Sequence, residues 1–257
     1  MVGNILSLPP RFASYDGSYD LVLHFHGNVG LVEESVPLSG VDAALLVVNA
    51  GIGSSAYEAR FSGPAVLPAV LDHIDEELEK RGLPHPQRRR VALTAWSAGW
   101  GAVSRILESG ALGESLDAII VLDGLHSAYG DKRSVDRIRL GPIAAFAERA
   151  KRGEKLLSIT HSEIDPYTYP STRQTADELL KMIGLERGPP GPRPELPALS
   201  QWHGIPREKL VTLEPTGETH VGDFHVRGYR GSTQEDHIAH LAYMATLALP
   251  ELAKRWK

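Results

Sequence analysis

The sequence predicts an α/β fold in which helices cover both faces of a mostly parallel central sheet. Short, almost uninterrupted apolar runs alternate with longer stretches whose apolar residues recur at helical spacing. Strands that are apolar throughout belong to sheets buried on both faces. Gly and Pro mark most of the boundaries. The chain has 257 residues, a length that one core of this class fills as a single domain spanning 1–257.

Residues 21–25 (LVLHF) and 44–48 (ALLVV) read as buried strands. Residues 64–81 carry Val66, Leu67, Val70, Leu71, Ile74 and Leu78 on one helical face, and Gly82 and Pro84 end that helix. Residues 91–96 (VALTAW) form the next strand, followed by a helix through Val103, Ile106 and Leu107. Residues 117–122 hold the most apolar strand. A helix near 142–152 leads to a strand at 155–160, and another helix covers about 172–183. Residues 188–206 contain six prolines, which fix φ and remove amide donors, so this stretch is an irregular loop. It is either a surface excursion or a rim over a pocket, with Trp202 and His203 facing substrate. A strand at 209–213, an edge hairpin strand at 224–229 and a final helix at 234–249 complete the reading.

Composition excludes several classes. The hydrophobic fraction of 42% and charged fraction of 23% are ordinary for a globular chain. A net charge of −5 is wrong for a protein that must neutralise nucleic-acid phosphates, and Arg88-Arg89-Arg90 reads as a solvated turn. There is no cysteine, hence no disulfide, thiolate nucleophile or cysteine-held zinc. Residues 1–10 lack the basic start and apolar run of a signal peptide, and no apolar run approaches the ~18–20 residues of a membrane span. The expectation is a cytoplasmic protein with no nucleic-acid or membrane partner; its oligomeric state is left open.

Chemistry concentrates in residues 95–101, Ala-Trp-Ser-Ala-Gly-Trp-Gly. A small-x-Ser-x-small pattern is weak alone, but this one directly follows a buried strand and directly opens a helix. A serine at such a turn lifts its hydroxyl above the sheet edge, and the helix N-terminus supplies positive partial charge nearby. The segment resembles the nucleophile elbow of the α/β-hydrolase superfamily, with Ala95 where glycine is usual; alanine fits if the position needs small volume rather than positive φ. The resemblance implies Ser97 as nucleophile and an oxyanion hole made by the backbone amides of Asn28, after His24-Phe25-His26-Gly27, and Ala98. It implies the chain order serine, acid, histidine. Asp165, in the loop before Pro166, is the first choice of acid, Asp123 the alternative at the preceding strand end, and Glu163 a third. Among His220, His225, His237 and His240, His237 is chosen because a loop delivers it at the start of the last helix.

The function so implied is hydrolysis of a carboxylic ester through an acyl-enzyme, with a small-molecule or acyl substrate, no metal and no cofactor. His26, Trp96, His126 and Trp202 are candidate substrate-binding residues. Three alternatives stay open: an amidase or peptidase with the same triad, a metal-dependent hydrolase, and a non-catalytic binding protein. The metal reading draws on His24 and His26 with Asp123, His126, His161, Asp223 and His225.

Overall fold

Eight strands form one sheet in a computed structural model that describes residues 3–9, 12, 14 and 16–257. The strands are β1 (Gly3–Ser7), β2 (Ser18–Phe25), β3 (Ala44–Asn49), β4 (Gln87–Trp96), β5 (Leu116–Leu122), β6 (Leu156–His161), β7 (Pro215–Val221) and β8 (Phe224–Tyr229). Their order is β1-β3-β2-β4-β5-β6-β8-β7. The six central strands are parallel, and only the edge strands β1 and β7 run antiparallel to their neighbours. This is the architecture of the α/β-hydrolase fold.

Alternation along the strands builds two cores. In β2, Leu21, Leu23 and Phe25 face one side while Val22 faces the other; in β5, Ile119 and Val121 oppose Ala118, Ile120 and Leu122. The first face is covered by α2 (Ser54–Phe61), α3 (Val66–Lys80), α4 (Trp100–Ser109), α5 (Arg137–Lys151) and α6 (Thr172–Met182). The second is covered by α1 (Val29–Leu38), α7 (Gln234–Ala242), α8 (Met244–Leu247) and α9 (Leu249–Arg255). On α3 the buried residues are Leu67, Leu71, Ile74 and Leu78, the face expected from the spacing. Among the described residues no helix is long and apolar enough to cross a membrane. Of residues 1–10, the stretch weighed as a signal peptide, residues 1, 2 and 10 lie outside the described residues.

Two strand expectations need correction. Residues 209–213 are not a strand: Leu213 is buried, and Leu210 and Val211 pack against the second core from a loop. Their apolarity serves packing, not sheet pairing. The hairpin strand is β7, whose Thr-Gly-Glu-Thr-His stretch shows no apolar run because it is the sheet's edge. Residues 224–229 do pair with it, but as an interior strand between β6 and β7. Helix α5 begins at Arg137, capped by Asp136, so Pro142 lies inside it rather than at its start. The final helix is divided into three pieces around Tyr243 and Ala248. Residues 188–206 form no helix or strand.

The topology marks one place for function. From β2 the chain crosses to β3 on one side, and β4 then returns to the other side of β2. Crevices in such sheets open at the strands' carboxyl ends where the order reverses. Here that is the gap between Phe25 and Trp96.

Candidate active site

Three neighbouring strands end at this edge in the same unusual way. His26 after β2, Ser97 after β4 and Asp123 after β5 all have positive φ, at 70°, 50° and 42°. A non-glycine residue there costs on the order of 1–3 kcal/mol, and such strain gathers where a side chain must be aimed. Ser97 is aimed by the turn between β4 and α4. Close packing explains the glycines around it. A Cβ on Gly99 would collide with the Phe25 carbonyl, and one on Gly124 would lie 2.7 Å from the Ser97 carbonyl oxygen. Ala95 is fully buried in the ladder between Phe25 and Val121, without positive φ, so small volume is what this position needs.

His237 reaches the same place from the opposite end of the chain. A capping box between Thr233 and Asp236 fixes the start of α7, which puts His237 in its first turn. Its Nδ1 lies 2.7 Å from Asp123 Oδ2. The other carboxylate oxygen of Asp123 accepts the Ser162 amide at 2.8 Å and the Thr172 hydroxyl at 2.7 Å. Asp123 is 1% exposed. Burial alone would raise its pKa, but the hydrogen bonds from His237 and the Ser162 amide outweigh burial and hold it well below the usual carboxylate range. Ser97, Asp123 and His237 line one cavity of about 360 Å³.

Asp165, the first-choice acid, is elsewhere. It is exposed, and its carboxylate accepts the Tyr167 amide in a two-residue turn. Glu163 is taken by Arg173 at 2.9 Å. The carboxylate on His237 is the alternative, Asp123, delivered one strand earlier.

Asn28 caps α1, accepting the Leu31 amide, and its side-chain amide donates to the His203 carbonyl at 2.7 Å. The backbone amides of Asn28 and Ala98 sit at the ends of β2 and β4, one on each side of the crevice. Neither donates to a turn, cap or side-chain acceptor among the described residues.

The aromatic candidates divide. His126 lines the cavity beside Ser97, with its Nδ1 buried and unpaired, and burial lowers its pKa to about 4. Trp96 and His26 instead stand behind the histidine. The indole stacks on His237 at 4.7 Å and on His26 at 5.2 Å, and its Nε1 donates to the His237 carbonyl at 3.0 Å. His26 is anchored by the Tyr57 hydroxyl at 2.8 Å. These two residues form a backing plate for His237 and line no cavity around Ser97. Trp202 packs on the second core, and His203 pairs with Glu34 at 2.7 Å beside α1. The Pro-rich loop starts along β7, where Gly188 and Pro189 pair with Glu218, and ends over α1; none of its residues lines the cavity shared by Ser97 and His237. The residues missed from sequence are Ser162, Thr172 and Tyr169; only Ser162, directly after a strand, carried a positional signal.

The set weighed for a metal is dispersed: His24 is bound to Thr94 and the His26 carbonyl in the core, and His225 pairs with Ser158 low on the sheet. Among the described residues no three His, Asp or Glu side chains come together as a metal cluster. His24, His161 and His240 are buried at 0% exposure, and burial depresses each pKa to about 4. They are neutral in the folded chain. An unfolded histidine titrates near ~6.5, so between roughly pH 6.5 and 4 the unfolded state binds more protons and stability falls as pH falls. Each contributes up to about 1.4 kcal/mol per pH unit. The midpoint of thermal unfolding, followed by circular dichroism, is expected to drop steeply across that window; a midpoint that stays level to pH 4.5 would contradict the buried neutral state.

No protein-family model matches the chain, and no curated protein matches it in sequence. Solved structures do resemble it. A poly(3-hydroxybutyrate) depolymerase from Bordetella parapertussis is 13% identical, with 95% of this chain and 82% of that one covered at a TM-score of 0.48. The BES protein from Bacillus cereus is 13% identical, with 98% and 88% covered at 0.47. A carboxyl esterase from Tuber melanosporum is 14% identical, with 72% and 69% covered at 0.37.

Proposed function

We propose that the protein is a serine hydrolase that cleaves carboxylic esters through an acyl-enzyme on Ser97. The observation that carries this is the 2.7 Å contact from Asp123 to His237 Nδ1, on a histidine that shares a cavity with a serine strained into a strand-to-helix turn. With Nδ1–H donated to a carboxylate, the lone pair of the imidazole is on Nε2 and faces outward as a base. Ser97 Oγ attacks the ester carbonyl as Nε2 takes its proton. The amides of Asn28 and Ala98 hold the oxyanion; such donors are fixed before reaction, and losing one typically costs ~3 kcal/mol of barrier. His237 then protonates the leaving alcohol, and water repeats the two steps on the acyl-enzyme. Trp96 restrains the imidazole from behind, and Asp123 stabilises its protonated form.

The test is a matched panel of esters and amides with the purified protein. Turnover of esters with a burst of alcohol release supports the reading, and faster turnover of the matched amides would move it to amidase chemistry. Inertness toward every activated ester would overturn it.

A further inference from the structure

Ser97 stands at the junction of two cavities that differ in size and chemistry. One, of about 360 Å³, contains His237 and Asp123 and is walled by neutral groups such as Ile164, Pro166, Thr172 and Gln234. The other, of about 760 Å³, contains Ala98 but not His237, and is walled by Glu58, Arg105, Glu108, Arg139, Ser54 and Tyr129. Among the described residues only Ser97, His126 and Tyr169 line both. The rings of His126 and Tyr169 meet edge-on at 5.5 Å and form the partition.

Given the mechanism above, the two halves of an ester cannot exchange places freely. The base that takes the Ser97 proton must return it to the leaving oxygen, so the alcohol lies on the His237 side. The acyl group, left on Ser97, then extends into the larger cleft. That cleft sets two guanidiniums against two carboxylates, so its lining carries no net charge. Arg105 is held by Glu108 at 2.8 Å and Glu58 at 3.4 Å, while Arg139 has only a 3.8 Å approach to Asp136. Such a wall offers N–H donors and oxygen acceptors together, with tyrosine rings beside them. It matches groups that donate and accept at once, meaning hydroxyls or amides, better than a lone anion, a lone cation or an alkyl chain.

We infer that the substrate class is an ester of a bulky, polyhydroxylated acyl group with a smaller, neutral alcohol. This rests on the serine-hydrolase reading. In the reaction the acyl carbon–alcohol oxygen bond breaks as the Ser97 Oγ–acyl bond forms, the alkoxide takes its proton from His237, and water then releases the free acid.

The experiment compares kcat/KM for methyl gluconate and methyl hexanoate, whose acyl chains have equal length, and for methyl and cyclohexyl acetate, which differ only in the alcohol. It does so in the wild type and in Ala128→Trp, which places bulk in the larger cleft, and Ile164→Trp, which places it in the smaller. The gluconate is expected to exceed the hexanoate by about tenfold or more, because its hydroxyls can pair with Arg139, whose nearest carboxylate is 3.8 Å away, and the alkyl chain cannot. Ala128→Trp is expected to widen the loss on the bulky acyl ester relative to methyl acetate, and Ile164→Trp the loss on cyclohexyl acetate, each by about tenfold. Preference for the hexanoate overturns the polar class, and penalties that fall on the opposite halves overturn the cleft assignment. Methyl acetate turnover that survives in a parallel Ser97→Ala protein would instead sink the hydrolase reading itself, so the two failures are told apart.

Discussion

Replacing Ser97 with alanine is expected to reduce ester turnover by about 10⁴- to 10⁶-fold, the range in which a triad nucleophile is lost while oxyanion and binding contributions survive. The folded structure should persist, because Ser97 Oγ makes no hydrogen bond to another protein group among the described residues. The backbone at this position offers a second readout. Ser97 holds φ at 50°, a conformation that alanine shares at equal cost and glycine adopts freely. Ser97→Gly should therefore be as inactive as Ser97→Ala yet more stable, by on the order of 1 kcal/mol in denaturant unfolding. An active Ser97→Ala protein would remove the nucleophile from the account, and equal stability of the two variants would remove the strain.

Asp123→Asn is expected to lower kcat by about 10⁴-fold with little change in KM. The reason is the fixed direction of one donor. The Ser162 amide cannot turn away, so the single oxygen of asparagine stays on its side and the new NH₂ group faces His237 Nδ1. Nδ1 must then accept, the ring proton moves to Nε2, and the base is gone while its position is kept. Asp165→Asn is the matched control: its exposed carboxylate only accepts the Tyr167 amide, which an asparagine oxygen does equally well. Its kinetics should stay at the wild-type level. A large loss in Asp165→Asn with a mild one in Asp123→Asn would reverse the assignment of the acid.

The parallel core of the sheet was legible because apolar runs such as residues 117–122 are buried on both faces and announce themselves by composition. The edges were not. β7 is polar and β1 short, and each pairs on one side only, at an edge of the sheet. That Ser97 and His237 share one cavity was foreshadowed by a strand-to-helix turn and a loop-to-helix start. The acid was open because the choice depends on where residues 163–171 travel after β6. That loop carries Asp165 outward and brings Thr172 back onto Asp123. Trp96 was misread for a similar reason. Its place beside the nucleophile suggests contact with substrate, but its ring turns away to stack between two imidazoles. Trp202 follows the path of the Pro-rich loop, which is set by contacts of Asn28 and Glu34 with His203 that no local pattern announces.

The most direct measurement is the site of covalent capture by a fluorophosphonate, read by mass spectrometry of the digested protein. A single adduct on the peptide containing Ser97, formed at the expense of ester turnover, is the expected result. An adduct on any other residue, or continued ester hydrolysis by protein in which Ser97 is fully modified, would contradict the account.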